Sequence, residues 1–188
     1  MSIRLRERAL PRPNVAVEFA RISIFAALTA AGARVQFHLP FTPVPVTGQV
    51  FCVLLAGAVL GSRRGFLSQL EYLAAGAAGA PVFTHGGGLP ALVGITSGYL
   101  VAFPLAAFCA GLGAERLRTR SLAGPLLGGL LGVAVIHLFG SAWALVALRA
   151  FAPGAVLAKF VFPFLALDAA KAVLAASLAP RLRRRLPS

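Results

Sequence analysis

Apolar residues fill long runs of this chain, and polar or charged residues are concentrated in the short stretches between those runs. The pattern divides the chain into six apolar segments, at about 15–33, 48–61, 65–80, 96–113, 122–148 and 155–179. An apolar run of ~20 residues is long enough to cross a bilayer as a helix. The second and third segments are shorter, and they cross only if neighbouring loops fold into the membrane and are buried by protein. We therefore predict an all-α membrane protein with six transmembrane helices.

Composition indicates a single membrane domain. The 188 residues are 59% hydrophobic and 12% charged, whereas about a quarter of the residues are charged in soluble domains. No polar stretch of the sequence is long enough to fold as a second domain. We expect one integral membrane domain over residues 1–188, with basic cytoplasmic tails at about 1–14 and 181–188.

The positive charges are distributed unequally between the two sides of the predicted bundle. A formal net charge of +13 could indicate a nucleic-acid binder, but the cations lie in clusters between the apolar segments. With both termini inside, thirteen of the 18 Lys and Arg residues lie on the inner side, at 4–12, 63–64, 116–120 and 181–185. The outer loops hold only Arg34 and Arg149. This positive-inside distribution predicts cytoplasmic termini, a multi-pass protein of the bacterial cytoplasmic (inner) membrane, and no nucleic-acid partner.

Two ionisable residues interrupt the sixth apolar segment, in the stretch "FLALDAAKAVL". Asp168 and Lys171 are three residues apart, which places them on one face of a helix. Ionisable groups inside a membrane are costly, so each is a candidate functional residue. The pair either neutralises itself and holds the bundle together, or forms a polar site for a small charged ligand. The two interpretations do not exclude each other.

The stretch "FTPVPVTGQ" at 41–49 carries prolines and polar residues into apolar surroundings. Its prolines, with Pro40 just before them, favour an extended chain over a helix. Thr47 is predicted to be the N-cap of the second helix. The amide of Gln49 lies in the first turn of that helix and should find a hydrogen-bond partner inside the protein. Tyr72, in the third segment, suits either the membrane interface or the wall of a pocket.

The outer loop "PVFTHGGGLPALVGITSGYL" is rich in glycine and is expected to form a mobile lid over a pocket. It lacks the Lys and Ser/Thr of a phosphate-binding loop, so a nucleotide site is not expected. Of the three histidines, His38, His85 and His137, only His85 is placed near a ligand, and their spacing does not indicate a metal site. No arrangement of nucleophile and base indicates an enzyme.

Small residues recur at a spacing of four, which allows close contact between helices in lipid. Examples are Gly57 with Gly61, and Gly124 with Gly128 and Gly132. In the first segment, two alanine pairs repeat this spacing: Ala26 with Ala30, and Ala27 with Ala31. The pattern indicates packing within the bundle. Alternatively, the alanines form a docking face for a partner membrane protein.

Several of these stretches together resemble the BioY family. The stretches "LPFTPVPVTGQVF", "LLAGAVLGSRRG", "YLAAGAAGAPVF", "GITSGYLVAF" and "DAAK" occur in the order and spacing of that family, over about residues 25–175. Its members are the biotin-specific substrate-binding (S) components of energy-coupling factor (ECF) transporters. This chain departs from the family pattern at Gly48, where Leu is common, at Ile95 and Ser97, where Pro and Gly are common, and in the loop near His85.

The resemblance implies a six-helix S-component fold that binds biotin from outside, with no cofactor and no enzymatic step. Expected partners are a transmembrane coupling protein, which contacts the alanine face of the first helix, and cytoplasmic ATPase subunits. The implied biotin-binding residues are Thr47, Gln49, Tyr72, His85, Tyr99, Asp168 and Lys171. Alternatives that stay open are a solitary biotin transporter without ATPases, an intramembrane enzyme acting on a lipid or thioester, and a structural membrane scaffold.

Biotin has two ureido N–H donors, a ureido carbonyl and a tail carboxylate. The carboxylate of Asp168 suits the ureido donors, since hydrogen bonds to charged groups are the strong ones. Lys171 suits the tail carboxylate, or else keeps Asp168 ionised. Three residues of helix span only about 4.5 Å, so both act near one end of an extended biotin. Gln49 or the outer loop would serve the other end.

Overall fold

A computed structural model describes residues 14–116, 122–149 and 152–185. Most of the N-terminal tail expected at 1–14 lies outside these residues. The C-terminal tail expected from 181 onward is helical as far as Arg185, where the last helix ends. The basic cluster at 116–120 is described only at Arg116.

The described residues form helices joined by short connections, and the six predicted apolar segments are confirmed as helical. The elements, in chain order, are α1 (Val15–Arg34), β1 (Gln36–Phe37), β2 (Val46–Thr47), α2 (Gln49–Leu60), α3 (Ser62–Ala77), a 3₁₀ turn (Leu89–Leu92), α4 (Ser97–Arg116), α5 (Ala123–Trp143) continued by a π turn (Ala144–Leu148), α6 (Pro153–Val156), a second π turn (Leu157–Val161) and α7 (Phe162–Arg185). The last three elements are one continuous helical span, Pro153–Arg185.

Four of the helices are long and apolar enough to cross a membrane: Val15–Arg34, Ser97–Arg116, Ala123–Ala147 and Pro153–Arg185. The other two, α2 with 12 residues and α3 with 16, are short, as the sequence predicts. The chain is a multi-pass membrane protein. Between α2 and α3 the chain turns at Gly61, whose φ of 91° lies in the left-handed region that side chains with a β-carbon rarely adopt.

Helix α4 lies at the centre of the bundle and packs against α2, α3 and α5. The contacts are close because small residues face one another. A β-carbon built at Gly57 of α2 would overlap the carbonyl oxygen of Ala107, and one built at Gly128 of α5 would lie 2.7 Å from the carbonyl oxygen of Cys109. The predicted close packing at these glycines is confirmed, and it brings the backbones of α2 and α5 close to that of α4.

The first-helix alanines do not share one exposed face. Ala26 is 7% exposed and belongs to the core, Ala30 is half-buried, and Ala27 and Ala31 are exposed. Ala26 faces the bundle, and the docking face predicted for the four alanines stays a prediction. Ala27 and Ala31 stay candidates for that face.

Polar contacts join the helix ends at the predicted cytoplasmic side. The carboxylate of Glu115 at the end of α4 accepts hydrogen bonds from the backbone N–H of Ser62, at 2.8 Å, and from its hydroxyl, at 2.7 Å. Arg183 of α7 donates to the carbonyl oxygens of Val59 and Ala114. These bonds satisfy groups that helix ends leave unpaired, and they fix α2, α3, α4 and α7 relative to one another.

Candidate ligand-binding site

A cavity lies among the β1–β2 hairpin, α2, the outer loop, α4 and α7. Its volume is about 50 Å³, and the space rises to about 520 Å³ when the open solvent around its mouth is included. The lining combines a few polar groups with an apolar wall, which is typical of sites for small molecules. The lining residues are Val44, Pro45, Thr47, Gln49, Val50, Thr84, Thr96, Tyr99, Leu100, Phe103, Phe164, Asp168 and Lys171.

Asp168 is the buried charge of this cavity, with a side chain that is 4% exposed. The ammonium of Lys171, one turn further along α7, lies 2.7 Å from its Oδ1 atom. The two side chains share one face of the helix, as the sequence predicts. Lys171 is the more accessible partner, at 16% exposure. The carboxylate therefore keeps lone pairs for a further donor, while the ammonium can leave it without a change in the backbone.

His137 of α5 is a third member of this cluster. Its Nε2 atom lies 3.0 Å from Oδ2 of Asp168, and the residue is buried. Only His85 was expected near a ligand, whereas the structure also places His137 beside a carboxylate of the candidate site. The stretch "VAVIHLF" contained the signal, because a titratable residue inside an apolar helix is a functional candidate by the rule that selected Asp168.

Gln49 is held by a chain of hydrogen bonds that reaches the outer loop. Its Nε2 donates to the hydroxyl of Tyr72 at 2.6 Å, and its Oε1 accepts from the hydroxyl of Thr84 at 3.0 Å. The hydroxyl of Tyr72 donates in turn to the carbonyl oxygen of Val82 at 3.2 Å. The expected partner for the amide is thus confirmed. Tyr72 is 1% exposed and lies behind Gln49, so it orients the amide that lines the cavity.

Thr47 lines the cavity, but the N-cap of α2 is Gly48. The prediction of a Thr47 cap is wrong because Thr47 belongs to β2 and pairs with Gln36 of β1. Its hydroxyl still accepts the backbone N–H of Gln49, at 3.3 Å. The proline-rich stretch ends in β2, and the other strand of the hairpin, β1, lies directly after α1.

The hairpin and α4 are attached to the π turn Leu157–Val161 of the last span. The hydroxyl of Tyr99 donates to the carbonyl oxygen of Phe160 at 2.6 Å. The hydroxyl of Thr42, between the two strands, donates to the carbonyl oxygen of Lys159, also at 2.6 Å. Tyr99 therefore serves as cavity wall and as an anchor for the helix that carries Asp168.

His85 lies on a neighbouring hollow beside the cavity. The residues of that hollow are Phe83, His85, Gly87, Pro90, Ala91, Gly94, Ile95, Thr96 and Leu100. Thr84, the residue before His85 in the chain, lines the cavity instead. The sequence did not predict Thr84 as a site residue. The loop is bonded to its surroundings at two further points: Arg34 donates to the carbonyl oxygen of Pro81, and the N–H of Gly88 donates to the carbonyl oxygen of Gly76.

The sequence model of the BioY family matches residues 6–188 of this chain. The chain belongs to the BioY family. Among similar proteins, the "Probable biotin transporter BioY" of Pyrococcus horikoshii is 42% identical over 169 residues, which are 89% of this BioY chain and 97% of that protein. The "Biotin transporter BioY" of Thermotoga maritima is 39% identical over 168 residues, which are 87% and 94% of the two chains.

The fold of this BioY chain is also that of a solved structure. The crystal structure of the S-component for biotin from an ECF-type ABC transporter superposes with a TM-score of 0.83 at 24% sequence identity. The match covers 94% of this chain and 95% of that one. The predicted S-component fold is confirmed. Within residues 14–116, 122–149 and 152–185 of the BioY chain, no group of three or more His, Cys, Asp and Glu side chains is arranged to hold a metal ion.

Proposed function

We propose that this chain binds biotin in the cavity described above and is the substrate-specific subunit of an ECF-type transporter for it. The curated relatives are named biotin transporters. We therefore propose a transport subunit and not an enzyme. The observation that carries the proposal is the carboxylate of Asp168 in the cavity wall beside the ammonium of Lys171. The ureido N–H groups of biotin can donate to the carboxylate of Asp168, and its tail carboxylate can pair with the ammonium of Lys171.

Each part of biotin has a counterpart in the cavity. The ureido N–H groups donate to Asp168, because charge-assisted hydrogen bonds in a water-poor site are strong. The rings and the aliphatic tail contact Tyr99, Phe103 and Phe164. In this proposal the tail carboxylate pairs with Lys171 after its ammonium turns away from Asp168. The reach of the lysine side chain, added to the helix rise of about 4.5 Å, then spans the ligand, which replaces the expectation that both residues act near one end of biotin. The remaining wall of the cavity is formed by hydrogen-bonding side chains, namely those of Thr47, Gln49 and Thr84.

The direct test is equilibrium binding of radiolabelled biotin to the purified protein in detergent or nanodiscs. We expect saturable binding of one biotin per chain, and no competition from an excess of an unrelated carboxylic vitamin such as nicotinic acid. A parent protein that is folded, by its thermal melting curve, and still shows no saturable binding would overturn the proposal.

We propose further that an ECF coupling protein contacts α1 at Ala27 and Ala31, and that cytoplasmic ATPases supply the energy. Both alanines are exposed on α1, and small residues allow another helix to approach closely. Uptake of biotin by cells that lack both coupling protein and ATPases would instead support a solitary transporter.

Replacing Ala31 by Trp should reduce the coupling protein that co-purifies with this chain by about tenfold or more, which corresponds to a loss of ~1.4 kcal/mol. The bulky ring prevents the close approach of a partner helix. Biotin binding by the isolated subunit should be unchanged. Ala142→Trp, at an exposed position of α5, is the matched control. Equal losses for both variants would exclude a docking face on α1.

A further inference from the structure

The two ring nitrogens of the buried His137 of α5 have different surroundings in the described part of the chain. Its Nε2 lies 3.0 Å from Oδ2 of Asp168, whereas its Nδ1 has no hydrogen-bond partner among the described residues. The ring lies edge-on to Tyr99, with centroids 6.1 Å apart, and near Phe164, with centroids 6.3 Å apart. His137 is thus enclosed by aromatic groups and has the carboxylate as its polar contact.

These contacts assign the tautomer. Asp168 accepts a bond from the ammonium of Lys171, so it is an ionised acceptor, and the facing Nε2 must carry the proton that it donates. His137 therefore donates from Nε2 to one oxygen of Asp168, while Lys171 occupies the other.

This division matters when an anionic ligand arrives. If Lys171 turns to the carboxylate of the ligand, Asp168 loses its cationic partner while still buried, and the neutral ureido donors replace only part of that interaction. The bond from His137 does not depend on Lys171, because it comes from another helix and reaches the other oxygen. We propose that His137 is a positioning residue that keeps Asp168 ionised and oriented while Lys171 moves from Asp168 to the carboxylate of the ligand.

The inference rests on the proposed function and makes a statement about ligand charge. Biotinamide has a neutral amide in place of the tail carboxylate, so it lacks the negative charge that attracts the ammonium of Lys171 away from Asp168. Loss of the His137 donor should therefore weaken the binding of biotin more than the binding of biotinamide. A histidine that only supports the fold would affect both ligands equally.

The experiment compares dissociation constants for biotin and biotinamide in the parent, His137→Phe and His137→Gln proteins. Phe keeps an aromatic ring between Tyr99 and Phe164 but donates nothing, and Gln keeps an N–H donor. We expect the Kd for biotin to rise about tenfold or more in His137→Phe, the Kd for biotinamide to rise only about threefold or less, and Gln to restore most of the loss for biotin.

Lys171→Met provides the second arm of the comparison. Without a lysine that can move, adding His137→Phe should raise both dissociation constants by the same factor. If His137→Phe does not fold, His137→Met takes its place in both backgrounds, since Met fills apolar space flexibly.

Equal losses for biotin and biotinamide in the Lys171-containing protein would overturn the inference, as would a failure of Gln to restore biotin binding. Neither result would affect the proposed function, which fails only if the folded parent protein does not bind biotin. The two conclusions are therefore tested separately by one set of measurements.

Discussion

Asp168→Asn should raise the Kd for biotin by about 100-fold or more, and this is the largest effect on binding that we expect. The asparagine amide has one acceptor oxygen without charge, so both ureido bonds lose their ionic component, worth about 1.5–3 kcal/mol for a bond to a charged group. In addition, Lys171 and His137 lose the acceptor that both now use. The measurement is equilibrium binding of labelled biotin to protein that retains a cooperative melting transition.

Glu71→Gln is the matched control for Asp168→Asn. It makes the same chemical change at a half-buried acidic residue of α3, away from the cavity-lining positions. Its Kd should stay close to that of the parent protein. Loss of one hydrogen bond to a charged group should raise the Kd by more than about threefold. A folded Asp168→Asn protein whose Kd stays within that limit would therefore show that Asp168 does not contact biotin.

Gly57→Ala should have the largest effect on stability, a loss of about 3 kcal/mol, at the upper end of the cost of overpacking. The added methyl group would overlap the carbonyl oxygen of Ala107 in α4. Overlap with a flexible side chain can be relieved by a rotamer change, but overlap with backbone requires α2 and α4 to separate. The apparent Tm in nanodiscs should fall by about 6–12 °C.

Gly154→Ala is the control for this variant. In the described part of the chain, no atom lies within 4 Å of a β-carbon built at Gly154, and Ala is favoured over Gly in helices. Its Tm should equal or exceed that of the parent. If the Gly57→Ala protein were as stable as the Gly154→Ala protein, the close contact between Gly57 of α2 and Ala107 of α4 would be contradicted.

The helical spans and the face shared by Asp168 and Lys171 could be predicted because both follow from local rules. An apolar run specifies a membrane helix by its length, and a spacing of three residues specifies one face of that helix. The short lengths of α2 and α3 were visible in the same way. Each of these features depends on residues that are neighbours in the sequence.

The features that the sequence did not predict depend on distant partners. Thr47 does not have its expected capping role because it pairs with Gln36 of β1, eleven residues earlier in the chain. His137 joins Asp168 from another helix, 31 residues away. The choice of Thr84 over His85 as a cavity residue depends on the turn that the loop makes near Phe83 and Gly86. Such contacts are set by tertiary packing.

The π turn Leu157–Val161 joins the last span to the hairpin and to α4. Adjacent carbonyl oxygens of this turn, on Lys159 and Phe160, are bonded to Thr42 and Tyr99. Displacing the turn breaks both bonds together, whereas displacing the hairpin alone breaks only the first. A change in the position of this turn would therefore reach the hairpin and α4 together, and both of these elements line the cavity.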